Sequence, residues 1–420
     1  MKIKSIKQAS LVMIADIFQK AVFFIITFMT VRLVSKENYG AYSFASTVLN
    51  LFLIFSGLGL STGFMQYASY NISDEERYKI LGTSSLVSIS SSIFFGLILI
   101  FAGSVNLFKI DLGNTLIICM SMLLALKAIS DLLMKYYRCV YNYKKYLSTV
   151  IISNLFYLIS SFLFIRFWDI YGLISARYLF TAVIIILGIN VLKKVSFKLN
   201  WSRQKWKSFI SFSLSAVTAN SVSAILVYAD IFLLGQILSD SSVLAEYRVA
   251  GLLPLNLIII PSSLMMFFYP KLVKLNKELE YFKKYLMIVG ILFVINTIIF
   301  LFFTFTAEWY YPLVFGKNYS DSLPVFYIMM AGYLINGTLR ISAGNFLATA
   351  HKIKINIYIA LFSGILNIAL NIMLIPEFGS IGAAVASLSV FILGSIVSNV
   401  YIFNLYKKMK VQKSVTSIAT

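Results

Sequence analysis

Residues 126–138 read LKAISDLLMKYYR and close an apolar run, 114–138, long enough to cross a bilayer as a helix. Four ionisable side chains, Lys127, Asp131, Lys135 and Arg138, stand where the surrounding pattern is hydrocarbon. On an α-helix they project at about 0°, 40°, 80° and 20°, so they form one stripe. A charge at the bilayer centre costs roughly 2.5–3.5 kcal/mol on insertion scales. Arg138 and Lys135 lie near the predicted inner surface and can snorkel. Lys127 and Asp131 are deeper and need a partner or water.

The composition places this stripe in a membrane protein. The 420 residues are 60% hydrophobic and 12% charged, with a mean hydropathy of +0.86. Soluble domains are nearer half apolar and a quarter charged. Apolar runs recur at 9–34, 41–66, 80–104, 114–138, 146–166 and 171–192. They resume at 208–236, 244–269, 282–305, 323–350, 353–375 and 381–405. Backbone polar groups must pair internally in lipid, so runs of this length are helices. The expected fold class is all-α and polytopic, with about twelve transmembrane helices. The first run begins with Lys2, Lys4 and Lys7 but is too long for a signal peptide and carries Asp16 and Lys20, so a retained helix is expected.

A net charge of +20 would suit nucleic acid, but its placement does not. With the N-terminus inside, inner segments carry groups such as Lys144 and Lys145, Lys193 to Lys207, and Lys352 and Lys354. Outer segments carry only Arg32, Lys36, Lys109, Arg166 and Lys317. This positive-inside bias predicts a multi-pass membrane protein with both termini cytoplasmic. Trp168, Trp201, Trp206 and Trp309 fall near span ends, as an interfacial belt requires. No soluble module combines basic charge with stacking aromatics, so no nucleic-acid partner is expected. Cys119 and Cys139 lie twenty residues, about 30 Å, apart on one predicted helix and cannot bond each other there. With one His, His351, no metal-ligand spacing exists, and no cofactor is expected.

The halves resemble each other. YGAYSFAS at 39–46 lies over LAEYRVAG at 244–251, a shift of 205. IYGLISA at 170–176 lies over EFGSIGA at 377–383, a shift of 207, which also lays Lys145 on Lys352. Six helices return the chain to its starting side, so the two halves share one orientation, as in transporters built from parallel repeats. The expected organisation is a six-helix lobe at 1–192, a basic cytoplasmic linker at 193–207, a pseudo-symmetric six-helix lobe at 208–405 and a tail at 406–420.

Within the spans cations outnumber anions. Lys20, Lys127, Arg177, Arg248 and Arg340 are candidate substrate-binding residues for an anionic cargo, since phosphate suits Arg and Lys donors. Asp16, Asp131 and Asp230 are candidate ion-coupling carboxylates, with Asp16 spaced to pair with Lys20. Pro254, Pro261 and Pro270 fall in or at the end of the eighth span, and Pro254 and Pro261 are candidate hinge residues.

The segment VRLVSKENYGAYSFASTVLNLFLIFSGLGLSTGFMQYAS resembles the opening of O-antigen (Wzx-type) polysaccharide-repeat flippases of the multidrug/oligosaccharidyl-lipid/polysaccharide exporter superfamily. YADIFLLGQILSDSSVLAEYRVAGLLPLN and ATAHKIKINIYIALFSGILNIALNIMLIPEFGSIGAAVAS are similar in the same way. The resemblance implies two lobes around a central cavity and alternating access. It implies a cargo of undecaprenyl-pyrophosphate-linked oligosaccharide, moved to the outer leaflet for lipopolysaccharide O-antigen or capsule. Membrane lipid, protons or sodium, and polysaccharide polymerase and chain-length machinery are the partners it implies. Three rivals remain: a multidrug extruder, a lipid II flippase, and a membrane polysaccharide polymerase or ligase. The cationic excess disfavours the first, and the length lacks room for the two extra helices common in the second. The third needs an acid–base constellation, and the longest predicted outer loop, Phe305 to Ser322, offers only Glu308, Lys317 and Asp321.

Overall fold

The structure, a computed structural model, describes residues 2–70, 72–196, 201–275 and 280–418. The side chains of Lys2, Lys4 and Lys7, residues 197–200 of the basic linker and the tail side chains from 411 lie outside the described residues. Every regular element among those described is helical.

The first part of the chain forms α1 (Lys2–Leu33), α2 (Lys36–Ser56), α3 (Leu60–Ala68), α4 (Asp74–Ser104), α5 (Asp111–Met120), α6 (Leu123–Cys139), α7 (Tyr143–Leu187) and the single turn α8 (Ile189–Leu192). Then come α9 (Arg203–Leu238), α10 (Ser241–Leu257), α11 (Ile259–Leu275), α12 (Glu280–Phe305), α13 (Ala307–Phe315), α14 (Leu323–Ile335), α15 (Ile341–Thr349) and α16 (Ile353–Ile418). Among the described residues, eight helical stretches are long and apolar enough to cross a membrane, or nine with the bent α5–α6 pair. Two of these, α7 and α16, each contain two helices meeting at a break. Large apolar side chains such as Phe305, Met266 and Phe167 stand exposed, as lipid-facing residues do. The chain is a multi-pass membrane protein.

Polar side chains set several helix starts. Ser35, Ser73, Asn142 and Ser202 each accept a hydrogen bond from a backbone N–H of the first turn they cap. The second predicted span, 41–66, is broken: Leu58 (φ 47°) and Gly59 (φ 65°) form a left-handed turn between α2 and α3. Glycine is required at 59, because a Cβ there would lie 2.2 Å from the Ser213 carbonyl oxygen of α9. The run 114–138 is likewise two helices at 45°, so Cys119 and Cys139 do not share one; both are free thiols. The predicted outer loop Phe305–Ser322 is mostly helical, as α13 and the 3₁₀ turns Lys317–Ser322.

The repeat register at the later end differs from the expectation. Asp169 (φ 49°, ψ −132°) and Gly379 (φ 56°, ψ −132°) make the same sharp corner within α7 and α16. A Cβ on Gly172 would lie 2.1 Å from the Phe164 carbonyl oxygen, and one on Gly382 would lie 2.3 Å from that of Leu374. Tyr141 (φ 55°) and His351 (φ 57°) form a third matching pair. All three pairs are offset by 210 positions, not 207. Gly172 therefore corresponds to Gly382 and Arg177 to Ser387. The sequence match at 207 came from Gly–Ala spacing, which recurs three residues on in GSIGAAVA. The offset of 205 holds at the start of α2 and α10.

By contacts the chain divides into one unit of 1–228 with 239–242 and another of 229–238 with 243–420, a division that falls inside α9. In the first unit, Leu60, Phe64, Leu81, Tyr137 and Phe209 belong to one buried cluster. In the second, Tyr281, Tyr285, Leu292, Phe346 and Leu347 form another.

Candidate functional site

In the first unit Lys127 of α6 approaches Asp131, one turn on, at 3.7 Å. That is an ion pair but too long for a direct hydrogen bond. Both line a cavity of about 200 Å³ whose other walls include Ser61, Thr62, Ser88 and the α2–α3 turn. Lys127 also lines a second, tighter cavity with Tyr157, Thr181 and Arg177 of α7. The Arg177 guanidinium donates to the Tyr42 hydroxyl at 3.1 Å and the Ser46 hydroxyl at 3.2 Å, and lies 5.9 Å from the Tyr42 ring centroid. Among the described residues no carboxylate pairs with it. A guanidinium inside a membrane unit, held only by neutral oxygens, keeps its full positive charge available to an anion.

The remaining stripe residues lie toward the predicted inner end. Arg138 sits over the Tyr146 ring at 5.8 Å, and the Tyr146 hydroxyl donates to Asp16 at 3.1 Å. The expected Asp16–Lys20 pair does not form among the described residues, and Lys20 is exposed on α1. Asp16 has turned to the phenol of α7, a neutral partner fixed by packing; Lys20, flexible and exposed, gains little by lying along its own helix.

In the second unit Asp230 of α9 is buried, 8% exposed. Its Oδ2 accepts from the hydroxyls of Tyr247 and Ser387, each at 2.6 Å, and its Oδ1 from the Asn371 amide at 2.8 Å. No cation pairs with it among the described residues. The Asn371 side-chain oxygen is buried and has no hydrogen-bond partner among the described residues, while its amide also reaches the Asn367 side-chain oxygen at 3.1 Å. A carboxylate beside an orphaned amide oxygen is a set of oxygen ligands suited to a small cation. Ser387, at the position matching Arg177, donates to that carboxylate.

Arg340 ends a π-helical segment, Asn336–Arg340, and reaches the Asn356 side-chain oxygen at 3.5 Å. Beside it Tyr333 donates to Asn296, and Asn296 to Thr338, in a buried chain of 2.7 and 3.1 Å links. Arg248 is partly buried on α10, next to Tyr247. Pro254 lies inside α10 and Pro261 in the first turn of α11, on either side of the break at Ile258.

Sequence reasoning found the charges and missed their neutral neighbours. Ser46, Asn367, Asn371 and Ser387 carry no net charge and were not flagged, and Tyr42 and Tyr247 stood out only as aligned repeat positions; the pair of Asn residues four apart in NIALN was the available signal.

Among solved structures, an inward-facing multidrug resistance MATE family transporter of the MOP superfamily is similar at a TM-score of 0.70 and 13% identity, covering 93% of this chain and 96% of that one. The lipid II flippase MurJ, in an inward closed conformation, is similar at 0.70 and 17%, covering 96% and 90%. A MOP superfamily transporter from Pyrococcus furiosus is similar at 0.61 and 13%, covering 96% of each. These likenesses establish a shared fold. A search of curated proteins returns no match. Residues 5–276, well over half of the chain, match the family described as polysaccharide biosynthesis protein, and the chain belongs to that family.

Proposed function

We propose that this protein is a flippase that moves undecaprenyl-pyrophosphate-linked oligosaccharide repeat units from the cytoplasmic to the outer leaflet of the bacterial inner membrane, by alternating access, for O-antigen or capsule. The observation that carries this reading is Arg177, a cation inside a membrane unit with hydroxyls around it and no carboxylate. An anionic headgroup supplies the missing countercharge. A diphosphate left in hydrocarbon would face a desolvation cost of several kcal/mol or more per charge. The family's description as polysaccharide biosynthesis and the lipid cargo named for MurJ favour a lipid-linked saccharide. Against a multidrug extruder stands the sign of Arg177; an organic cation gains nothing beside it.

Asp230 is the coupling residue in this scheme. A buried carboxylate with three neutral donors and no cation takes a proton or a small cation from whichever side admits it. An ion crossing the membrane supplies about 2.3 kcal/mol per charge per 100 mV. Asp131 already has Lys127 within 3.7 Å and is less suited to that role.

The test is Arg177→Ala in a strain that depends on this chain for surface polysaccharide. With protein levels unchanged, polysaccharide should be lost and lipid-linked repeat units should accumulate. Normal polysaccharide from that variant would remove the main support for the reading.

A further inference from the structure

The cavity holding Lys127 and Asp131 differs in chemistry from the one that reaches Arg177. Its volume is about 200 Å³, and its two formal charges cancel. An anion entering it would meet the Asp131 carboxylate along with the Lys127 ammonium, so it is poorly suited to phosphate. What it offers is alternating neutral and charged hydrogen-bonding groups: an ammonium donor, a carboxylate acceptor, and the hydroxyls of Ser61 and Thr62, for which no hydrogen bond is formed among the described residues. The 3.7 Å gap between Nζ and Oδ1 leaves room for an oxygen at about 2.8 Å from each, accepting from one and donating to the other. A sugar hydroxyl is both donor and acceptor.

The wall is built to stay in place. The α2–α3 turn is pinned at Gly59 against Ser213, and Ser91 and Ser92 of α4 donate to the Ser56 carbonyl while Ser88 donates to that of Gly57. Polar groups set in a fixed wall recognise hydroxyls well, because an analogue lacking one leaves its partners, shut from water by the bound sugar, unpaired. Lys127 and Leu53 line both this cavity and the one that reaches Arg177.

We infer that the Lys127–Asp131 cavity is a saccharide subsite that grips the hydroxyls of the sugar attached to the diphosphate, while Arg177 takes the phosphate. This rests on the flippase reading for the lipid, and it reassigns Lys127 from phosphate attraction to sugar recognition. The number of free hydroxyls it can pair makes it a place where one sugar is chosen over another.

The experiment measures binding to the purified full-length protein in nanodiscs. The probes are a polyprenyl diphosphate with no sugar and the same lipid carrying one hexose, one N-acetylhexosamine or one 6-deoxyhexose. The wild type should bind at least one sugar-bearing probe about ten-fold or more tightly than the bare diphosphate. Asp131→Ala should erase that gain and leave the bare probe's affinity within about two-fold, and Lys127→Gln should erase the gain as well. Thr62→Val should erase part of it. A wild type that gains from none of the sugars overturns the subsite while leaving the lipid-diphosphate reading standing, as does an Asp131→Ala variant that weakens all probes equally. A wild type that binds none of the probes overturns both.

Discussion

Arg177 and Ser387 occupy corresponding places in the two halves, as do Tyr42 and Tyr247, yet the chemistry around them is inverted. In the first unit the tyrosine hydroxyl receives a hydrogen bond from a guanidinium; in the second it gives one to a carboxylate. A matching polar position thus carries a cation in one half and hydrogen-bonds an anion in the other, as the proposed division between headgroup and coupling sites requires. Asp230→Asn should leave a folded protein whose residual transport no longer responds to an imposed proton or sodium gradient. Transport by that variant that still follows the gradient would exclude Asp230 as the coupling residue. Asn371→Leu removes a donor to the same carboxylate and should lower stability by about 1.5–3 kcal/mol, read as earlier thermal unfolding in detergent. The charges of both sites were legible in the sequence because ions in apolar runs are rare. Their partners were not, because Ser, Tyr and Asn also serve as ordinary helix-packing residues in membranes.

At the level of elements, the turns decide how the helices meet. Gly57 and Gly59 sit two residues apart, but a Cβ at 57 would touch nothing within 4 Å while one at 59 would strike Ser213 in a left-handed turn. Gly59→Ala should therefore cost about 1–2 kcal/mol or more, and Gly57→Ala within about 0.5 kcal/mol of nothing, in thermal unfolding of the purified protein. Asp169 holds a conformation that Gly379 adopts freely in the other half, and its carboxylate accepts a hydrogen bond from Asn38. Asp169→Ala should destabilise by about 1–2 kcal/mol more than Asp169→Gly, since both lose the bond and only alanine keeps the strain. The prolines at 254 and 261 flank the break at Ile258. If that break is the hinge, replacing both with Ala should slow transport with protein levels unchanged; undiminished transport would exclude it. The apolar runs located the spans because the bilayer fixes their length. The break at 258 lies between the two prolines flagged as a hinge, whereas those at 57–59 and 121–122 escaped notice because apolar residues continue on either side, and the π-helical NGTLR at 336–340 because the run around it stays apolar.

For the whole molecule, the fold agrees with what hydropathy implied and the family with the resemblance of the quoted segments, and the repeat was visible although its register slipped by three residues at the later end. The placement of basic residues proposes a sidedness that labelling can test. In a variant lacking Cys119 and Cys139, Lys109→Cys and Lys317→Cys should react with a membrane-impermeant maleimide in intact cells, and Lys144→Cys only after permeabilisation. The reverse pattern would invert the topology. Function is tested most directly by reconstitution. Liposomes containing the purified protein and a fluorescent polyprenyl-diphosphate oligosaccharide would be treated with a membrane-impermeant quencher under an imposed ion gradient. The fraction quenched should rise above that of protein-free liposomes with the wild type and fall back to it with Arg177→Ala. Equal quenching with and without the wild-type protein would contradict the account.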